Sequence, residues 1–292
     1  MGWHDDFRHI TTCDVPLGPK TWFGLGGPAR YFLVPRHSEE LAAVVRRLHE
    51  EKIPLYVLGA GANLLVRDAG VAGAVISLTA PEFTKVTLDG DKARCGAGAD
   101  MQKLVLQCAR KGLAGLECLA GIPGTVGGHI RMNAGGAFGS IGPRVSQVTV
   151  MDYTGRISTL TRDVLTFEYR RGYLGAPFIL ETVLELMPDE PQRLTQRVKE
   201  IWLYKKNTQP LAAHSAGCIF RNAPGVSAGA LIDQAGLKGL SVGGARVSER
   251  HANFIIADEG ATAEQVLELI ALVRRRVREK FHVALETEVV IW

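Results

Sequence analysis

The sequence of 292 residues is short of cysteine, of aromatic residues and of long apolar runs. Its five cysteines form no CxxC pair and no metal-binding spacing, so we expect reduced thiols and no metal site. No apolar run approaches the ~20 residues of a membrane span, and the first residues lack the apolar core of a signal peptide. We therefore expect a protein that stays in the cytoplasm and makes no membrane contact.

Excess charge is also low, with a formal net charge of +4 at pH 7. No basic block is interleaved with aromatic residues, so a nucleic-acid partner is not expected. Glycine is instead abundant, with 33 residues clustered at 24–27, 59–61, 121–128 and 135–142. Glycines clustered in this way indicate backbone that lies close to another group, often a ligand.

Helical and strand patterns alternate along the chain and predict a mixed α+β / α/β fold. The first helix is predicted over 38–51 with Ser38 as its N-cap, and a buried strand follows over Leu55–Leu58. Thr262 and Gln265 form a capping box before a long amphipathic helix. Further strands are predicted over His251–Ala257 and Val283–Ile291.

A change of pattern after the helix predicted over 190–206 indicates a domain boundary near residue 205. We expect three parts. Residues 15–80 form a first cofactor-binding subdomain, 81–204 together with 283–292 form a second one, and 205–282 form a substrate-binding domain.

The first candidate site is the loop that follows the strand Leu55–Leu58, and its residues are Gly59, Ala60, Gly61, Ala62 and Asn63, followed by Leu64. Successive backbone N–H groups in such a loop can form a nest for an anion such as a pyrophosphate. The spacing is not GxGxxG and no Walker lysine follows, so an ordinary tight turn explains this loop equally well.

The second candidate segment, called the second glycine segment below, runs over 119–135. Its glycine content is hard to explain by structure alone. It is too long for an ordinary connection between two elements, and long irregular segments of compact domains are often functional. Its candidate residues are Gly121, Ile122, Pro123, Gly124, Thr125, Gly127, Gly128, Asn133, Ala134 and Gly135.

At these two segments the sequence resembles the UDP-N-acetylenolpyruvoylglucosamine reductases, a family within the wider vanillyl-alcohol-oxidase-like FAD superfamily. The matching segments keep the order of the family and span nearly the whole chain. They are Thr21–Ala29, Val57–Val66, Gly115–Asn133, Phe167–Arg170, Gln209–Asn222, Ala228–Gly239, Val247–Phe254 and Leu285–Val289.

The resemblance implies a two-part FAD-binding module of the vanillyl-alcohol-oxidase type, followed by a C-terminal α/β substrate domain. It implies that the first glycine segment contacts the pyrophosphate of FAD and the second its isoalloxazine. It also implies that FAD binds noncovalently, and the sequence agrees locally, because the loop at 59–63 has no His or Cys that could attach a flavin. The short connection after Asn207 is typical of the shorter subtype of the family, and we expect a monomer.

The implied activity is reduction of the enolpyruvyl ether of UDP-N-acetylglucosamine-enolpyruvate to UDP-N-acetylmuramate, with NADPH as the reductant, in peptidoglycan precursor synthesis. Developing carboxylate charge requires cationic or donor groups, and the carbanion requires a proton donor. By motif position these catalytic roles fall to Arg170, Cys218 and Glu288.

Each catalytic assignment has its own chemical argument. Arg170 can hold a carboxylate through two parallel hydrogen bonds. Cys218 stands where the family often has serine, and a thiol with a reference pKa of ~8.5 is the better acid. Glu286 shares a face with Glu288 if this segment is a strand, but the motif favours Glu288. Four further residues are expected to contact the substrate: Gln209, Asn222, His251 and Asn253. Asn253 is included because a residue two positions after His251 would face the same side of a strand.

The sequence leaves two other functions open. Another flavoenzyme of the superfamily, such as an oxidase of small alcohols, would have a different C-terminal domain and often a flavin-linking residue. A noncatalytic paralogue would bind flavin or nucleotide but need not retain Arg170, Cys218 and Glu288.

Overall fold

The computed structural model describes residues 2–223 and 225–292, and its elements alternate along the chain. The helices are α1 Ser38–Glu50, α2 Pro81–Thr84, α3 Met101–Arg110, α4 Val126–Arg131, α5 Pro191–Thr208, α6 Ala228–Gln234 and α7 Ala263–Phe281. The strands of the first half are β1 Thr11–Pro16, β2 Pro28–Leu33, β3 Leu55–Leu58, β4 Leu64–Leu65, β5 Val71–Ser77, β6 Val86–Asp89, β7 Lys92–Gly96, β8 Leu113–Ala114, β9 Gly135–Gly136 and β10 Gly139–Ser140. Those of the second half are β11 Val145–Met151, β12 Ile157–Thr161, β13 Thr166–Glu168, β14 Arg171–Tyr173, β15 Phe178–Glu185, β16 Met187–Pro188, β17 Ser241–Val242, β18 Ala245–Val247, β19 Ile255–Ala257 and β20 Val290–Ile291.

Contacts between Cα atoms divide the chain into two compact units. The first unit comprises the residues up to Cys13, Tyr31–Ala60 and Gly73–Tyr204. The second comprises Asp14–Arg30, Gly61–Ala72 and Lys205–Trp292. Residues 283–292, expected in the second cofactor-binding subdomain, thus fall in the same unit as 205–282. The reason is that β20 pairs in parallel with β4, Val290 opposite Leu64.

The first unit is built around an antiparallel sheet in the order β12-β11-β15-β7-β6. The central strand β15 is buried on both faces, with Ile179 in one core cluster and Phe178 in another. Leu104 of α3 and Val198 of α5 are buried in the first of these clusters, so both helices cover that core. The sheet therefore fixes the segments between α3 and β11, which include the second glycine segment.

The second core cluster of this unit lies under α1, whose apolar stripe is buried together with residues of β5. The predicted N-cap Ser38 is wrong, because Nδ1 of His37 accepts from Glu40 N–H at 3.3 Å and Ser38 N–H donates to Glu82 at 2.9 Å.

The Glu40 carboxylate is buried and accepts from Arg36 at 2.7 Å, with His9 Nε2 at 2.6 Å. Burial alone would raise the pKa of Glu40, but these hydrogen bonds lower it to about 2.

The second unit has its own core, formed by α6, α7 and the antiparallel sheet β17-β18-β19. The capping box predicted at α7 is confirmed, with Thr262 Oγ1 accepting from Gln265 N–H at 3.2 Å. Asp68 adds a second cap that the sequence pattern did not indicate. Its carboxylate accepts from the N–H groups of Ala263 and Glu264 at 3.0 and 3.1 Å.

Two predicted strands of this unit are shorter than expected. Residues 251–254 form a turn, closed by a hydrogen bond from Phe254 N–H to His251 O of 2.9 Å, and β19 begins only at Ile255. Residues 283–289 are irregular apart from a bridge between Thr287 and Phe220. None of the described helices is long and apolar enough to cross a bilayer.

Candidate functional site

The first glycine segment follows β3 and runs from Gly59 to Asn63. Within the described residues, no protein acceptor takes the backbone N–H groups of this loop. Successive backbone N–H groups of this kind bind anions, phosphate in particular. The donor set of the loop therefore fits the pyrophosphate of FAD.

Both glycines of this loop are closely packed, and the protein itself requires glycine at residue 61. Gly61 has φ of 64°, and a Cβ at this residue would lie 2.3 Å from Lys20 O. Trp22 N–H donates to Gly61 O at 3.1 Å and fixes the same approach within the second unit. In the first unit, a Cβ on Gly59 would lie 2.9 Å from Thr125 Oγ1. Gly59 therefore lies directly against the second glycine segment.

The other predicted residues of the loop differ in exposure. Ala60 is exposed and Ala62 half-buried. The Leu64 side chain is buried in β4, so only its backbone is suited to contact a cofactor.

The start of the second glycine segment is held by Gln102, a residue of α3 that the sequence analysis missed. Its Nε2 donates to Leu119 O at 3.0 Å and to Ile122 O at 2.6 Å, and its Oε1 accepts from Gly121 N–H at 2.8 Å. A polar residue in the first turn of a helix carries no signal of such a role. The contacts fix the loop on both sides of Gly121, which has φ of 73°.

The middle of this segment combines structural bonds with groups available to a ligand. Gly127 N–H donates to Ala97 O at 2.8 Å, and Thr125 Oγ1 caps α4 by accepting from Gly128 N–H at 3.3 Å. The N–H groups of Gly124 and Thr125 find no acceptor in the part of the chain that the structure describes. Ile122 and Pro123, which directly precede Gly124, are both half-buried. The N–H groups of Gly124 and Thr125 are thus the donors of this segment best suited to a cofactor.

The end of the segment serves the protein more than a ligand. The buried Asn133 side chain donates to Glu168 O at 2.8 Å and accepts from Gly142 N–H at 3.0 Å. Ala134 N–H donates to His129 O at 2.8 Å. Gly135 pairs with Ser140 in the small hairpin of β9 and β10. The side chain of Asn133 is therefore accounted for without a cofactor.

Arg170 lies at the turn of the hairpin formed by β13 and β14. Its backbone has φ of 58°, a left-handed conformation that residues other than glycine adopt rarely. The guanidinium is half-buried and donates from Nη1 to Gly135 O at 2.5 Å. The structure therefore brings Arg170 to the end of the second glycine segment, within the first unit.

Cys218 is half-buried and forms an isolated antiparallel bridge with Phe254 in the second unit. Next to it, Glu288 N–H donates to Ile219 O at 2.7 Å. Backbone pairing thus places Glu288 directly beside the segment that carries Cys218. In contrast, burial raises the pKa of both Cys95 and Cys108 to about 12, so these two thiols stay protonated and inert at neutral pH.

The amide of Asn63 extends this arrangement to the first glycine segment. Its Nδ2 donates to Glu288 O at 3.1 Å. Glu288 is half-buried, whereas Glu286 is exposed and its carbonyl accepts from Arg221 N–H at 2.9 Å. Of the two acids, Glu288 is therefore the one tied to both Asn63 and the Cys218 segment.

Asn253 is a structural residue in this geometry. It is buried, and its side chain brackets the backbone of Phe220, accepting from the N–H at 2.9 Å and donating to the carbonyl at 2.8 Å. Asn253 does not share a strand face with His251, contrary to the prediction, because both residues lie in the turn before β19. Asn253 thus holds the Cys218 segment in place, and its amide is committed to protein partners.

His251 and the two remaining predicted substrate contacts lie at the edge of this cluster. Burial and nearby Lys238 lower the pKa of His251, whose Nδ1 accepts from Asn253 N–H at 3.3 Å. Asn222 is exposed and its Oδ1 accepts from Ala228 N–H at 3.0 Å, at the start of α6. Gln209 is half-buried and its carbonyl accepts from Arg250. No group of three or more potential metal ligands occurs within residues 2–223 and 225–292.

Two family models match successive, non-overlapping parts of the chain. A model described as "FAD binding domain" matches residues 29–161. A model described as "UDP-N-acetylenolpyruvoylglucosamine reductase, C-terminal domain" matches residues 209–292.

Whole-chain relatives carry the same description. A protein of Symbiobacterium thermophilum called UDP-N-acetylenolpyruvoylglucosamine reductase 2 is 42% identical, over 95% of this chain and 90% of its own length. The reductase of Moorella thermoacetica is also 42% identical, over 95% and 91%. The crystal structure of the Thermus caldophilus enzyme superposes with a TM-score of 0.83 at 38% identity, covering 97% of this chain and 98% of that one. The chain therefore belongs to the UDP-N-acetylenolpyruvoylglucosamine reductase family and is an FAD-dependent oxidoreductase.

Proposed function

We propose that this enzyme reduces the enolpyruvyl ether of UDP-N-acetylglucosamine-enolpyruvate to UDP-N-acetylmuramate, with NADPH as the electron source. The observation that carries the proposal is 42% identity over 95% of the chain to a protein named for this reductase activity. A step of peptidoglycan precursor synthesis on a UDP-sugar would be carried out in the cytoplasm. We propose that the enzyme works there as a monomer.

Residues of both glycine segments would hold FAD. The unpaired N–H groups of the loop from Gly59 to Asn63 suit its phosphates, and those of Gly124 and Thr125 add further donors. FAD, when bound, supplies hydride transfer from NADPH to the terminal carbon of the enolpyruvyl double bond.

Arg170 would bind the substrate carboxylate. A guanidinium carries five N–H donors in a planar fork, so the bond to Gly135 O is compatible with a further two-pronged contact. Negative charge on the carboxylate and its neighbouring carbon grows as hydride arrives. A fixed cation at this point stabilises the transition state more than the ground state.

Cys218 would deliver the proton that completes the reaction. The Sγ–H proton goes to the carbon next to the carboxylate, and the thiolate left behind regains a proton from solvent. Support comes from the backbone pairing that places Glu288 beside this segment. A protonated Glu288 carboxyl would donate a hydrogen bond to the substrate carboxylate and share its charge.

Gln209, Asn222 and His251 remain the proposed contacts to the UDP-sugar. All three lie in the second unit, as Cys218 and Glu288 do. Asn253 would contribute indirectly, by fixing the backbone of Phe220.

Anaerobic stopped-flow absorbance tests the proposal. NADPH should bleach the flavin band of the holoenzyme, and UDP-N-acetylglucosamine-enolpyruvate should then restore it with formation of the lactyl ether. A flavin that is bleached but not reoxidised by this substrate would refute the proposed reaction. Reduction by NADH at the same rate would refute the preference for NADPH alone.

A further inference from the structure

The side chain of Asn133 connects two segments that are separate in sequence. Its Nδ2 donates to Glu168 O at 2.8 Å, and its Oδ1 accepts from Gly142 N–H at 3.0 Å. Asn133 is 9% exposed; its bond to Gly142 is buried and its bond to Glu168 O is part-buried. One amide therefore ties the strand β13 to the turn before β11.

The bond to Glu168 lies two residues before Arg170. Glu168 is the last residue of β13 and pairs with Arg171, which leaves Tyr169 and Arg170 as the turn of the hairpin. The left-handed backbone of Arg170, with φ of 58°, is unfavourable for a residue with a side chain and persists only where its surroundings hold it. The amide of Asn133 is one such restraint, because it binds the carbonyl of Glu168, the residue just before the turn.

The hairpin is also packed closely on its surroundings. A Cβ on Gly142 would lie 2.8 Å from both Asn133 Oδ1 and Phe167 Cγ. A Cβ on Gly172 would lie 2.5 Å from Ile130 O. Two glycines thus permit the contact between the hairpin and the backbone around Asn133, and Phe167 fills the space between them.

We propose that Asn133 is a positioning residue for Arg170, instead of a contact to FAD. It holds the entry of the Arg170 turn through Glu168 O, while the guanidinium is held at its other end by Gly135 O. The two restraints come from Asn133 and Gly135, two positions apart in the chain. The inference rests on the proposed function, in which Arg170 binds the substrate carboxylate.

The test is a double-mutant cycle on the holoenzyme with Asn133→Gly and Arg170→Ala. Glycine accepts the left-handed backbone of Asn133, with φ of 40°, so this change removes the amide without adding strain. Displacing a substrate-binding group by about 1 Å costs up to about 100-fold in rate. We therefore expect Asn133→Gly to slow substrate-driven flavin reoxidation by about 10- to 100-fold and to raise the KM for the enolpyruvyl substrate.

Other properties of Asn133→Gly should stay close to wild type. The Kd for FAD and the rate of flavin reduction by NADPH should change by less than about 2-fold, and in the Arg170→Ala background Asn133→Gly should add less than about 2-fold. Lys52→Gly is the matched control, because Lys52 has φ of 55° in the same unit, and it should leave both half-reactions unchanged. If Asn133→Gly does not fold, Asn133→Asp replaces it, since aspartate keeps the acceptor for Gly142 N–H and loses the donor to Glu168 O.

The outcomes separate the inference from the function on which it rests. Effects of Asn133→Gly and Arg170→Ala that multiply, or a loss confined to FAD affinity, would overturn the positioning role and leave the reductase function intact. An Arg170→Ala variant with normal reoxidation would overturn the role of Arg170 and the inference with it. If the two substitutions slow reoxidation together no more than Arg170→Ala does alone, and FAD affinity is normal, the result supports both the positioning role of Asn133 and the role of Arg170.

Discussion

Replacing Asn253 by alanine tests whether this residue belongs to the framework of the site or to its substrate contacts. The Asn253 side chain is 3% exposed and makes two hydrogen bonds to the backbone of Phe220, itself 2% exposed. Alanine would leave a buried N–H and a buried carbonyl without partners. Each such group costs about 1–3 kcal/mol, so we expect a loss of about 2–6 kcal/mol in the free energy of unfolding.

The assay is thermal unfolding of the holoenzyme followed by circular dichroism, with Asn207→Ala as the control. Asn207 is exposed at the end of α5, so its replacement should change stability by no more than about 0.5 kcal/mol. For a chain of this size, the loss expected for Asn253→Ala corresponds to a fall in Tm of at least about 3 °C. An unchanged Tm together with a raised KM for the enolpyruvyl substrate would refute the structural reading and restore Asn253 as a substrate contact.

Three further predictions concern other parts of the molecule. Cys218→Ala should slow flavin reoxidation by substrate and leave reduction by NADPH intact in stopped-flow traces, whereas the exposed Cys13→Ala should alter neither; equal slowing of both half-reactions would disprove the proton-donor role. Glu40→Gln should cost about 2–3 kcal/mol at pH 7 in urea unfolding. Because the pKa of Glu40 is lowered to about 2, this stabilisation is present above pH ~4.5 and is lost as the pH falls to ~2, so a difference that persists at pH 2 would contradict it. Gly61→Ala should lower both Tm and FAD affinity, since its Cβ would lie 2.3 Å from Lys20 O, while Gly136→Ala enters open space and should be neutral; similar results for the two variants would argue against that close approach.

Local signals predicted much of the fold. The strand β3 begins and ends where its apolar run does, and the capping box fixed the start of α7. The first helix ends one residue earlier than predicted, but its cap is His37, since Ser38 N–H finds an acceptor in Glu82, 44 residues away. A sequence pattern reflects interactions between residues close together in the chain. It therefore gives no sign of a hydrogen-bond partner 44 residues away.

The residues of the site likewise include some that the sequence predicted and others whose role depends on contacts with distant parts of the chain. Glycine clusters and motif order predicted the two loops, but not which of their atoms the protein already uses. Asn133 and Asn253 look like ligand-binding amides in the sequence, and in the structure each one supports the backbone of another segment. The strand parity assigned to Asn253 failed because the residues before β19 turn instead of extending. An amide side chain carries no sequence signal that separates these two uses.

The bond between Asn63 and Glu288 has a consequence for biosynthesis. Its partners are 225 residues apart, and β4 likewise pairs with β20 near the far end of the chain. At about 5–20 residues per second, the ribosome adds Glu288 more than about 10 seconds after Asn63. The second-unit part of the first glycine segment therefore cannot take its final shape on a nascent chain that stops before residue 288. Flavin capture by this loop is consequently expected only once the chain has been synthesised beyond residue 288.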